Sequence, residues 1–145
     1  MKILLVGYGG MGRAVGRIAQ ERGHETMIVD PKAKEASFSD LASANFTGVD
    51  LVVDFSLGDF AMSHSKLCVE KGVNFVLGST GWYDQLPEIK SMVESSGIGL
   101  LWSSNFSIGV NLYFKMVEAA AKMINKFDEY DVWGHEIHHF NKADS

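Results

Sequence analysis

The chain opens Met1-Lys2-Ile3-Leu4-Leu5-Val6-Gly7-Tyr8-Gly9-Gly10-Met11-Gly12, a short apolar run that passes straight into glycines at positions 7, 9 and 12. The apolar run has the makings of a strand, Lys2–Val6, and Met11–Arg22 carries the amphipathic spacing of a helix. Each glycine between them answers a separate need. Gly7 permits a tight strand-to-helix turn, Gly9 lets the backbone approach a pyrophosphate, and Gly12 lets the helix pack closely on the strand. The free N–H groups and positive dipole end of that helix favour an anion. Asp30 follows Gly12 by 18 residues, at the end of a second apolar run, Thr26-Met27-Ile28-Val29. An acid in that position suits the hydroxyls of an adenosine ribose. Strand, glycines, helix, strand and acid, in that order, predict a dinucleotide site.

The same alternation continues. Further apolar runs at Leu51–Phe55, Asn74–Leu77 and Gly99–Trp102 show no polar alternation, as parallel strands covered on both faces require. Helices are predicted at Met11–Arg22, Phe60–Lys71 and Asp84–Ser95, with Gly23 and Gly72 as stop signals behind the first two. The crossover Pro31–Val49 is short and polar. The expected fold is α/β, a Rossmann-type doubly wound parallel sheet over residues 1–105. After Trp102 the pattern changes. Ser107–Lys126 reads as one long helix, apolar around most of its circumference, and Tyr130–His139 reads as a strand. One helix and one strand cannot make a core of their own. Residues 106–145 are therefore expected to begin a second α+β domain that is incomplete here.

Composition narrows the partners. A net charge of −5 with no Lys/Arg cluster argues against nucleic acid. The single cysteine, Cys68, allows neither a disulfide framework nor a thiolate metal cluster and is expected to be a small buried residue. The chain has no apolar run long enough to span a membrane and no signal-peptide pattern, so a cytoplasmic protein without a membrane partner is expected.

In doubly wound sheets ligands lie beyond the carboxyl ends of the strands. Those ends carry Asp54-Phe55-Ser56, Gly78-Ser79-Thr80-Gly81 and Ser103-Ser104-Asn105-Phe106-Ser107, rich in small residues and hydroxyls suited to a cofactor. Near the chain end, His135, His138 and His139 invite a metal reading. On an extended strand His135 and His139 would stand roughly 13 Å apart, at about 3.3 Å per residue, with His138 on the opposite side. No metal site is expected. As titrating groups the histidines can exchange a proton near neutral pH, and Lys142 is a fixed cation suited to a carboxylate. A solvated polar strand end is the alternative.

Taken together, Gly7-x-Gly9-x-x-Gly12, Asp54-Phe55-Ser56, Gly78-Ser79-Thr80-Gly81, Asn105-Phe106-Ser107-Ile108-Gly109-Val110-Asn111 and His138-His139-x-x-Lys142 resemble the 4-hydroxy-tetrahydrodipicolinate reductase (dihydrodipicolinate reductase) family of bacterial lysine biosynthesis. The resemblance implies hydride transfer from NADH or NADPH to a small cyclic dicarboxylate. It implies His138 and Lys142 as catalytic residues in protonation and His139 as a substrate contact. It assigns cofactor contacts to Gly7, Tyr8, Gly9, Gly10, Met11, Gly12, Asp30, Gly78, Ser79, Thr80, Ser103, Ser104, Asn105 and Phe106. It also implies that residues 106–145 begin a substrate-binding and oligomerisation domain, with a homo-oligomer formed through its strand. Family members are longer, and this sequence stops short of the Pro-Ser-Gly-Thr segment expected to hold a substrate carboxylate. Asp30 favours NADH, whereas Lys32 and Lys34 could accept the 2′-phosphate of NADPH. Two other readings remain open: a non-catalytic dinucleotide-binding module, and another Rossmann dehydrogenase of an amino-acid pathway.

Overall fold

The computed structural model describes residues 1–137. It divides into two compact units, Met1–Asn105 and Phe106–Ser145. In the first, five parallel strands are ordered β2-β1-β3-β4-β5: β1 (Lys2–Val6), β2 (Glu25–Val29), β3 (Leu51–Asp54), β4 (Asn74–Leu77) and β5 (Leu100–Trp102). Three helices cross between them, α1 (Gly10–Glu21), α2 (Ala61–Lys71) and α3 (Leu86–Ser96), the last two each entered by a single 3₁₀ turn. The expected ends of these elements shift by a residue or two, most at α3, where Tyr83–Gln85 forms the 3₁₀ turn.

Burial on both faces explains the unbroken apolar runs. Along β1, Ile3 and Leu5 pack on one face with Ala19 and Val53. Leu4 and Val6 pack on the other with Val52, Phe75, Leu77, Trp82 and Ile89. Gly72 and Gly97 end α2 and α3 in the left-handed conformation, which a glycine adopts without the Cβ penalty.

The crossover Pro31–Val49 holds a remnant of a sixth strand. Phe38 forms a single parallel bridge to Val29, and its carbonyl accepts the Asp30 N–H at 3.0 Å. Phe38 thus stands where the outer strand of a Rossmann sheet would run, while Leu41 fills the core behind it at 1% exposure.

Register then positions the site. Val29, Val6, Asp54, Leu77 and Trp102 are paired across the sheet in one row. Every loop of the predicted site leaves the sheet directly beyond that row.

In the second unit α4 (Ile108–Ile124) is capped by Ser107, whose Oγ accepts the Val110 N–H, and none of its residues is buried. The cover its apolar circumference calls for is not found among the described residues. The strand predicted over Tyr130–His139 is not formed from Tyr130 to Ile137, and its last two positions lie outside the described residues. A strand exists only when its N–H and C=O groups are paired, and among the described residues no neighbouring strand offers a ladder to this segment.

Candidate functional site

The glycine-rich turn is built by close backbone contact. Gly7 has φ of 80°, and a Cβ there would meet the Phe55–Ser56 peptide at 2.7 Å. A Cβ on Gly12 would collide with the Gly7 carbonyl oxygen. Gly9 differs, since nothing lies within 4 Å of where its Cβ would stand. The turn itself therefore does not require glycine at position 9. The demand at Gly9 is met only if something approaches from outside, as a pyrophosphate would. Gly9 is also the N-cap of α1 and no side chain caps that end. Its dipole and free N–H groups remain available to an anion. Gly10 opens α1, and Met11 behind it is 53% exposed.

Asp30 stands beside this turn. Its Oδ2 accepts the Tyr8 N–H at 2.8 Å, while Oδ1 accepts the N–H groups of Lys32 and Ala33 at 2.7 and 2.9 Å. These bonds, that from Tyr8 foremost, hold its carboxyl below the usual aspartate range. A carboxylate has room for about four hydrogen bonds, so one acceptor position remains for a ribose hydroxyl. Tyr8 carries the Arg13 guanidinium over its ring, 4.7 Å from the centroid, and Arg13 pairs with Glu35 at 2.7 Å.

Gly7, Gly9 and Asp30 together line a groove of about 350 Å³, with Lys32 on the Asp30 side and Ser56, Leu57 and Phe60 opposite. The loops around it interlock. A Cβ on Gly78 would strike the Phe55 ring, and one on Gly58 would strike the Thr80 carbonyl. Ser79 is buried, and its carbonyl accepts the Trp82 Nε1–H at 2.8 Å. The hydroxyls of Ser56 and Ser79 are buried without a hydrogen-bond partner among the described residues. Beyond β5, the Ser103 hydroxyl donates to the Asn105 carbonyl at 2.7 Å, and Ser104 is exposed. Phe106 belongs to the second unit. An open glycine at an uncapped helix end and an acid with a free acceptor position fit a dinucleotide.

His64, on the groove wall, and Asp54, bonded to it, carried no individual role in the sequence reading. Asp54 is 1% exposed, and its Oδ2 lies 2.6 Å from Nδ1 of His64. An acid closing the apolar run Leu51-Val52-Val53 was a usable signal, the same one that singled out Asp30. His64 sits ten positions away on α2 and carries no local signal. Burial, with the nearby Asp54 charge, pushes the Cys68 thiol up to about 12, so it has no thiolate character at neutral pH.

His138, His139 and Lys142 lie outside the described residues. Among the described residues no cluster of three His, Cys, Asp or Glu could hold a metal ion, and no helix is long and apolar enough to cross a membrane.

Comparison with known proteins agrees with this geometry. Residues 1–106 match the family model described as "Dihydrodipicolinate reductase, N-terminus". The whole chain is 30% identical to a 4-hydroxy-tetrahydrodipicolinate reductase of Christiangramia forsetii, and it spans 59% of that relative. Over 117 residues it is 41% identical to the enzyme of the same name from an Anaeromyxobacter species, 79% of this chain and 41% of the relative. Among solved structures, the dipicolinate-bound dihydrodipicolinate reductase of Paenisporosarcina sp. TG-14 superposes with a TM-score of 0.68 at 26% identity. That match covers 83% of this chain and 53% of the solved one.

Proposed function

The chain belongs to the dihydrodipicolinate reductase family, and from that membership we propose that it binds NADH or NADPH as part of a reductase. The substrate in this reading is a small cyclic dicarboxylate, 4-hydroxy-tetrahydrodipicolinate or dihydrodipicolinate, reduced to tetrahydrodipicolinate. When bound, the dinucleotide would supply a hydride to a conjugated C=C–C=N system.

The observation that carries the reading is the groove at the row of strand ends, where Gly9, the uncapped start of α1 and Asp30 converge. Gly9 and the first N–H groups of α1 hold the pyrophosphate, and Asp30 takes a ribose hydroxyl. Lys32 lines the groove beside Asp30 and offers a cation to a 2′-phosphate. Gly78, Ser79, Thr80, Ser103, Ser104 and Asn105, from the neighbouring loops, add backbone and hydroxyl contacts. The remaining roles rest on the family motif. His138 and Lys142 supply the proton that hydride addition demands, and His139 with Lys142 neutralises a substrate carboxylate. In this reading Phe106 and the residues after it begin the substrate-binding and oligomerisation domain.

Calorimetric titration of the chain with NADH and with NADPH tests the cofactor part, and saturable binding of either at millimolar concentration or below is expected. Consumption of the reduced dinucleotide on addition of the cyclic dicarboxylate tests the reductase part. Binding without turnover would leave a dinucleotide-binding module, and no binding at all would overturn the reading.

A further inference from the structure

Within the row of paired strand ends, Val29, Val6, Leu77 and Trp102 are apolar, and Asp54 alone carries a charge. Nothing in sheet packing asks for a carboxylate there. Burying one is costly unless its oxygens are hydrogen-bonded, and a valine would fill the position without that cost. Asp54 is hydrogen-bonded through both of its oxygens. Oδ1 accepts the Ser56 N–H at 2.8 Å, and Oδ2 accepts from His64 Nδ1 at 2.6 Å. An ionised carboxylate has no proton to give, so Nδ1–H is the donor and the tautomer of His64 is thereby set. The imidazole is stacked on Phe60, with ring centroids 5.4 Å apart and planes within 14°.

The bonded segment is the one on which the glycine turn rests. Gly7 packs on the Phe55–Ser56 peptide, and Ser56, Leu57, Phe60 and His64 form the groove wall that faces Asp30.

We propose that Asp54 and His64 are a positioning pair for the dinucleotide: His64 orients the Asp54 carboxylate, the carboxylate pins the Ser56 backbone, and the peptide on which the glycine turn packs is thereby held in place for the cofactor. This inference rests on the cofactor reading above and adds residues to the same groove. Neither Asp54 nor His64 needs to touch the reacting atoms. Because His64 acts through Asp54, removing both should cost little more than removing one.

The test is a double-mutant cycle on the full chain, with NADH and NADPH affinities measured by calorimetry. Wild-type binding is the control; without it the cofactor reading fails and this proposal falls with it. Loss of a hydrogen bond to a charged group predicts that His64→Leu weakens affinity about tenfold or more. Asp54→Asn, which keeps the side chain's shape and removes its charge, should weaken it as well, and the double variant should be no weaker than the worse single variant by more than about twofold. His64→Asn, which keeps a donor near the Nδ1 position, should stay within about threefold of wild type if one hydrogen bond carries the effect. Circular dichroism and Tm establish that each variant is folded. If His64→Leu does not fold, His64→Gln, which keeps a polar side chain but displaces the donor, takes its place in the cycle. Unchanged affinity in a folded His64 variant, or strictly additive losses, would overturn the proposal. So would failure of both His64→Leu and His64→Gln to fold, because the pair would then serve stability alone.

Discussion

Gly9 and Gly12 belong to one fingerprint but answer to different constraints, and substitution separates them. A Cβ on Gly12 runs into the Gly7 carbonyl oxygen, a backbone atom that cannot swing away. Gly12→Ala should therefore destabilise the protein by about 3 kcal/mol, the upper end of overpacking costs, with a lowered Tm. Gly9 has open space and φ of −76°, so Gly9→Ala should lose less than about 1 kcal/mol of capping preference. Its effect should fall on dinucleotide affinity, which calorimetry reads directly. Equal Tm losses in the two variants would contradict this division. Asp30 supports a prediction about pH. Its carboxyl is held below the usual range by the Tyr8, Lys32 and Ala33 N–H groups. The unfolded chain therefore binds this proton more readily, and the stabilisation is fully present above about pH 4, the ordinary aspartate value. It is lost as pH falls through the depressed folded value. Thermal melts of wild type and Asp30→Asn should differ most above that point and converge as pH falls toward acid. A difference independent of pH would contradict it.

At the level of elements, the loops behind β1, β3 and β4 interlock as three backbones held at glycine distance: Gly7 on Phe55–Ser56, Gly78 on the Phe55 ring, Gly58 on the Thr80 carbonyl. Close packing of this kind transmits displacement, because interiors have little free volume. Gly58→Ala places a methyl against a carbonyl two loops away from the glycine-rich turn. The expected outcome is a loss of about 1–3 kcal/mol in urea unfolding, together with weakened dinucleotide binding, although Gly58 does not line the groove. A stability loss with unchanged affinity would show the loops to be independent. The crossover Pro31–Val49 makes a related point. Reduced to one bridge at Phe38, it still closes the edge of β2 and carries Lys32 to the groove beside Asp30.

For the molecule as a whole, both core clusters draw every member from Met1–Asn105. A fragment of residues 1–105 should fold cooperatively, with the Tm of the full chain within a few degrees, and should bind dinucleotide equally well. A fragment that is unfolded by circular dichroism would contradict this. The second unit behaves differently. Its helix exposes Ile108, Leu112, Met116 and Met123 at 78%, 59%, 64% and 62%, and Trp133 and Ile137 are each 83% exposed. Apolar surface of that extent favours association. Pairing of this unit with a second copy of itself is the arrangement we expect, with two-fold symmetry. Light scattering should then give a mass above that of one chain at micromolar concentration, and the 1–105 fragment should be monomeric. A strictly monomeric full chain up to millimolar concentration would rule the pairing out.

The sequence by itself determined the order of strands and helices, the parallel sheet and the glycine turn with Asp30. Those features are written in neighbouring residues: apolar runs at Lys2–Val6 and Leu51–Phe55, glycines that stop helices, an acid closing β2. It also pointed to the family, through motifs whose members lie close together in the chain. Only the tertiary structure decided the rest. Sheet register brought Asp54 level with Val6 and Leu77, and helix packing then set His64 against it across ten positions. Phe38 became a strand remnant because β2 offered it an edge. Tyr130–Ile137 has the composition of a strand but is not one, because extended backbone becomes a strand only when another strand satisfies its hydrogen bonds. Helical turns close their own hydrogen bonds locally; ladders and buried side-chain hydrogen bonds are completed only by partners brought together by the fold.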